Sequence, residues 1–168
     1  MVIGGGQAGL AAGYYLCRTG LEFVILDAQA TPGGAWQHDW DSLRLFSPAQ
    51  FSSLPGWPMP PYPDEWYPPA THVVDYLAAY EKHHDLPIRR AETVTAVSRR
   101  DGGLRVATDS GAWSASAVIS ATGAWWRPFL PLVPGSFAGR RLHAVDDRNV
   151  DEFTGQRVVV VGGGNSGA

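Results

Sequence analysis

The stretch Met1–Leu10, MVIGGGQAGL, decides the fold. Met1, Val2 and Ile3 form the stub of a strand, and Gly4, Gly6 and Gly9 then satisfy the spacing G-x-G-x-x-G. That spacing has a mechanism. The first glycine permits a tight turn, the second lets the backbone approach a pyrophosphate, and the third lets the following helix pack on the strand. The helix N-terminus, at Gln7 and Ala8, offers free N–H groups and a positive dipole end to the phosphates. A helix is predicted from about Gln7 to Thr19, with apolar bulk from Leu10, Ala11, Tyr14, Tyr15 and Cys17 and with Gly20 as its C-terminal cap. Cys17 reads as a core filler on that helix. Residues 22–27, EFVILD, read as a second strand that ends in Asp27, about 20 residues beyond the turn, where a dinucleotide fold places the acid for the ribose hydroxyls. Asp27 favours an adenosine with a free 2′-OH, as in FAD or NAD, because it would repel a 2′-phosphate.

The last residues, RVVVVGGGNSGA, repeat the pattern of apolar run and glycine turn. Composition bounds what lies between. The chain has 168 residues, a 45% hydrophobic fraction and a net charge of −3, so nothing points to nucleic acid or to an acidic membrane surface. No apolar run approaches the ~20 residues of a membrane span. Cys17 is the single cysteine, which excludes an intramolecular disulfide and makes the reducing cytoplasm the default setting.

After Asp27 comes a long segment, residues 28–70, holding most of the 13 prolines and four of the 7 tryptophans. It is too rich in proline for a helix or a central strand and too aromatic for a disordered linker. Two readings stay open: a surface loop pinned by aromatic anchors, or a lid over a flat ring system. THVVDYLAAYEKHH, residues 71–84, reads as an amphipathic helix capped by Thr71, with Val73, Val74, Leu77 and Tyr80 on one face. The adjacent His83 and His84 suit its negative pole rather than a metal. Residues 87–92 read as a short strand, 93–116 as an antiparallel meander, and AVISATG (117–123) as a buried parallel strand. The crossover rule then gives an α/β, Rossmann-like domain, a parallel sheet with helices and a β-meander in a flavoprotein-like variant of the doubly wound fold, although the meander alone does not prove flavin.

Five segments together resemble the flavin-containing monooxygenases and their Baeyer–Villiger relatives: GGGQAG at the start, GGAW at residues 33–36, VISATG, the fingerprint F-x-G-x-x-x-H in Phe137, Gly139 and His143, and GGGNSG at residues 162–167. The stretch LFSPAQFSSLPGWPMP is most similar to the small bacterial members. The resemblance implies that FAD and NADPH or NADH are the cofactors. It implies that Gly34, Trp36, Phe46 and Ser47 line the flavin, that Val94 meets the adenine through its backbone, and that Thr122 and Gly123 lead out of the FAD domain. Gly162, Gly164, Asn165, Ser166 and Gly167 would meet the phosphates of the nicotinamide cofactor. The family reduces FAD with NAD(P)H, and a peroxyflavin passes one oxygen atom of O2 to a soft nucleophile (a sulfide or an amine) or to a ketone. No general acid or base is required of the chain.

Two departures stand out. Phe46 occupies the position where animal-type members carry Asn, and Asp147 stands where the family has an aromatic residue after the fingerprint histidine. They leave heteroatom oxygenation and the Baeyer–Villiger outcome open. The expected partners are a small-molecule substrate and O2, with neither nucleic acid nor membrane, and with a homodimer compatible. The expected division is an FAD-binding segment over 1–155 and the start of an NAD(P)H-binding domain over 156–168, so that the chain reads as part of a longer protein and by itself lacks turnover. Three other readings stay open: a disulfide reductase, which needs a cysteine pair; a flavin-free dehydrogenase; and a non-catalytic dinucleotide-binding piece.

Overall fold

Val2 and Ile3 are apolar in succession because both faces of their strand are covered. The computed structural model describes residues 1–63, 65–132, 134–146 and 149–164. Its elements in chain order are β1 (Val2–Ile3), α1 (Gln7–Cys17), β2 (Ile25–Leu26), α2 (Ala70–His83), β3 (Ile88–Arg89), β4 (Val94–Arg100), β5 (Gly103–Thr108), β6 (Ala112–Ala115) and β7 (Ile119–Ser120). A parallel sheet runs β3-β2-β1-β7, and β4-β5-β6 form a separate antiparallel sheet. The order is that of a doubly wound half, with the meander inserted in the crossover from β3 to β7. Register divides the core. The partners Val2 and Ile25 face α1 and α2, whereas the next pair, Ile3 and Leu26, faces Val106 of the meander.

Helix α1 buries Gly9, Leu10 and Gly13. A Cβ at Gly13 would lie 3.0 Å from Ile25 Cδ1, so the glycines set the helix directly on the sheet. Cys17 corrects the expectation of a core filler: it is exposed, in the last turn of the helix. The Thr71 cap is also corrected. Helix α2 starts one residue earlier, with Pro69 at its N-cap position and no side-chain cap. The carbonyl of Leu43 accepts the Ala70 N–H at 3.1 Å, so the preceding loop supplies an acceptor that Thr71 was expected to provide.

The proline-rich segment is pinned onto α2 by two tyrosines. Tyr76 Oη donates to Trp57 O (2.7 Å) and accepts the Leu54 N–H (2.8 Å), while Tyr80 Oη donates to Pro55 O (2.5 Å). The Trp57 ring stacks on His83 at 4.7 Å. Burial pushes both phenol pKa values up. Beyond β7, the run at residues 158–161 is exposed and pairs with no strand among the described residues. An apolar run becomes a strand only where another strand accepts its hydrogen bonds.

His84 sits against the rings of Tyr80 (4.5 Å) and Tyr14 (5.1 Å), and its Nε2 is buried without a hydrogen-bond partner among the described residues. Burial and then the neighbouring His83 hold its pKa below the usual histidine value. The unfolded chain therefore takes up the proton first. This stability is present above about pH 6.5 and is lost as pH falls below it. The Tm is expected to drop between pH 7 and pH 5, and the drop should be shallower in His84→Phe, as differential scanning fluorimetry would report.

Candidate functional site

The loop between β1 and α1 is shaped by its own backbone. Gly4 has φ +105°, and a Cβ there would lie 2.3 Å from Ala121 O. A Cβ on Gly9 would lie 1.8 Å from Gly4 O. Gly6 differs: its φ is −81°, and a Cβ would find nothing nearer than Gly34 Cα at 3.8 Å. Gly4 and Gly9 are thus glycines because protein occupies the space, and Gly6 leaves space open ahead of α1. That helix has no side-chain cap and no acid in its first turn. Its first N–H groups, at Gln7, Ala8 and Gly9, lack intrahelical acceptors and lie at the positive end of the dipole. The arrangement fits a paired phosphate.

The short helical turn Gly34–Gln37 closes one side of this opening. Gly34 has φ +56°, and a Cβ there would lie 2.8 Å from Gly6 Cα, while one on Gly33 would lie 2.9 Å from Val74 Cγ1. The glycine pair is therefore wedged between the phosphate turn and α2. Trp36 Nε1 donates to Gln7 Oε1 at 3.0 Å, tying this turn to the first residue of α1. Beside it lies a cleft of about 330 Å³ lined by Gln7, Trp36, Ser47, Met59, Tyr76 and Leu77 among others. Ser47 Oγ and Ser52 Oγ are hydrogen-bonded at 2.9 Å. Phe46 stands outside this lining and is 63% exposed. A second cleft of about 370 Å³ lies on the meander hairpins and contains none of the sequence-predicted site residues.

Asp27 follows β2 and is the one buried charged residue among the described residues. Its Oδ2 stands beside Gly5, where a Cβ would come within 2.7 Å. Arg90, just past β3, donates from Nη1 to Asp27 Oδ2 and from Nη2 to Glu81 Oε2 on α2. Burial holds the Glu81 carboxyl above its usual range, against the opposing pull of Arg90. Sequence reasoning missed Arg90, because nothing local marks a partner 63 residues away. Val94 opens β4 and packs with Ile3, Leu26 and Val106. Thr122 follows Ala121, whose N–H donates to Ile3 O at 2.8 Å; Thr122 and Gly123 are exposed at that end of β7.

The structure thus gathers Gly4, Gly6, Gln7, Ala8, Gly9, Gly34 and Trp36 around one opening, with Asp27 beside Gly5 and Ser47 in the adjoining cleft. Of the second glycine turn only its first residues are described. Gly162 and Gly164 have nothing within 4 Å of a Cβ position, and Asn165, Ser166 and Gly167 lie outside the described residues, as does Asp147. In the fingerprint, Phe137 is exposed, a Cβ on Gly139 would meet the Phe137 ring at 2.8 Å, and His143 Nδ1 accepts the Val145 N–H at 3.2 Å. Among the described residues no helix is long and apolar enough to cross a membrane.

The family model for pyridine nucleotide-disulphide oxidoreductases matches residues 1–168. A flavin-containing monooxygenase from Stenotrophomonas maltophilia superposes with a TM-score of 0.95 and 53% identity, over 99% of this chain and 51% of that one. An uncharacterized CzcO-like oxidoreductase from Geobacillus kaustophilus is 36% identical over all of this chain and 49% of its own length. An indole-3-pyruvate monooxygenase, YUCCA1 of Oryza sativa subsp. japonica, is 33% identical over 99% of this chain and 42% of its own. The chain spans about half the length of the curated relatives it matches.

Proposed function

From a chain that belongs to the pyridine nucleotide-disulphide oxidoreductase family, we propose the FAD-binding part of a flavin-dependent monooxygenase that draws electrons from NADPH or NADH and oxygenates a small molecule with O2. The observation that carries this reading is the first glycine turn, where Gly4 and Gly9 pack against backbone while Gly6 leaves the approach to α1 open. The likeness to the Stenotrophomonas flavin-containing monooxygenase supports it.

In this reading the turn and the N–H groups of Gln7, Ala8 and Gly9 hold the pyrophosphate, and Asp27 accepts from the ribose. The Val94 backbone meets the adenine. Gly34, Trp36, Phe46 and Ser47 border the ring system, with Thr122 and Gly123 at the exit. The bound flavin supplies the redox and oxygen chemistry; the chain binds it, orients it and keeps water from it. Tyr76 and Tyr80 serve the last task by holding the proline-rich segment down along the cleft. Residues 1–155 are assigned to this unit, and residues 156–168, with Gly162, Gly164, Asn165, Ser166 and Gly167, to the opening of the NAD(P)H-binding unit. The substrate is a sulfide, an amine or a ketone, and the lone cysteine supports a cytoplasmic setting.

The disulphide chemistry in the family's description finds no support in these 168 residues. They contain one cysteine, and Cys17 is exposed on α1.

The test is a fluorescence titration with FAD and, separately, FMN. FAD should bind at least tenfold more tightly, because only FAD presents a pyrophosphate and a ribose to the turn and to Asp27. Asp27→Ala should weaken FAD about tenfold or more, a loss of roughly 1.4 kcal/mol, and leave FMN unchanged. Equal affinity of the wild type for both flavins would sink the assignment.

A further inference from the structure

We propose that Arg90 is a positioning residue for adenosine recognition: held from α2 by Glu81, it fixes the Asp27 carboxylate so that its free oxygen faces the ribose diol. The inference rests on the dinucleotide reading of the first turn.

Asp27 is tied down on every side but one. Its backbone N–H donates to Arg89 O at 2.9 Å, and its backbone carbonyl accepts from Glu92 N at 3.0 Å, so the ends of β2 and β3 are locked together. Its side chain is 7% exposed, and Oδ2 is taken by Arg90 Nη1. Oδ1 has no partner among the described residues, and it is not a buried orphan atom. A carboxylate accepts at both oxygens, so one acceptor remains for a ligand.

Arg90 is built to hold it so. Its two Nη atoms each meet one carboxylate on separate elements, and Nη1 also reaches Thr31 O at 3.3 Å. A planar fork spans two acids in a fixed geometry, which a lysine ammonium does not. The charges also decide the ligand. Two carboxylates against one guanidinium leave the group with one net negative charge. A neutral pair of hydroxyl donors suits it, and a further phosphate does not. With both Nη atoms engaged by acids, Arg90 is not free to recruit a 2′-phosphate.

The experiment measures Kd for ADP, 2′-deoxy-ADP and 2′-phospho-ADP-ribose by calorimetry on the full chain, in wild type, Arg90→Met and Arg90→Lys. The wild type should prefer ADP over 2′-deoxy-ADP about tenfold and bind the 2′-phosphorylated probe most weakly. In Arg90→Met the preference for the 2′-hydroxyl should fall below about threefold, because Asp27 is free to rotate. Arg90→Lys keeps the charge and one bond, and it should give an intermediate ratio; it carries the test if the methionine variant does not fold. A merely structural role would weaken ADP and 2′-deoxy-ADP together and leave their ratio at the wild-type value, which would overturn the proposal. Failure of the wild type to bind ADP or FAD at all would overturn the dinucleotide reading, and this inference with it.

Discussion

Gly9→Ala is expected to be the most damaging single-methyl change in the chain. The added Cβ would sit 1.8 Å from Gly4 O, and both partners are backbone, so no rotamer change can relieve the clash. Either α1 tilts away from β1 or the turn at Gly4 opens, and Gly4 is itself held by Leu26 O at 2.8 Å and crowded by Ala121. Overpacking of a well-filled site costs about 1–3 kcal/mol, and this site lies at the upper end because nothing flexible is near. For a chain of this size Tm should fall by roughly 6–12 °C. Gly111→Ala is the control: a Cβ there meets nothing within 4 Å, and its Tm should match the wild type. Equal melting temperatures for the Gly9 and Gly111 variants would mean that the turn is not packed as described.

Gly6→Leu is expected to do the opposite, sparing the fold and removing the ligand. The backbone at Gly6 has a φ any residue can adopt, and its Cβ position is open. The side chain would project into the space ahead of α1, where the pyrophosphate is proposed to lie. FAD affinity should fall by about 100-fold or more, equivalent to roughly 2.8 kcal/mol, while Tm shifts by less than about 3 °C. Retention of wild-type FAD affinity by a folded Gly6→Leu protein would place the phosphates elsewhere. The two glycines therefore separate two reasons for one motif, and only the pair of measurements tells them apart.

That separation also shows what the sequence could carry. The glycine turn, α1, the order of strands and the meander were legible because their determinants lie close together along the chain: Gly4 presses on Gly9, and Val2 and Ile3 show their coverage by being apolar in succession. Asp27 was legible from its distance to the turn. Its partner was not, because the Arg90 bond joins residues that follow different strands and leaves no periodic trace. The apolar face of α2 could be read at Val73, Leu77 and Tyr80, yet the targets of the Tyr76 and Tyr80 hydroxyls, the carbonyls at Trp57 and Pro55, depend on how a proline-rich segment folds back. Cys17 marks a plainer limit. Counting it as apolar bulk says nothing of whether the last turn of a helix is covered. The glycine run at residues 162–167 shows the same limit at the scale of a motif: it matches the first turn in letters, but its described glycines have no backbone pressed against them.

The place of β1 has a consequence for synthesis on the ribosome. It sits between β2 and β7, and Met1 N donates to Ala117 O across 116 residues. One edge of β1 can pair as soon as β2 and α1 have emerged. The other must wait for a strand made roughly 5–19 s later, at about 5–20 residues per second. Through that interval an apolar strand edge is open to any neighbouring chain, and contacts of such long range also slow the closing step itself. A nascent chain of this design is a natural client for a ribosome-associated chaperone, and cooler, slower expression should favour its soluble yield.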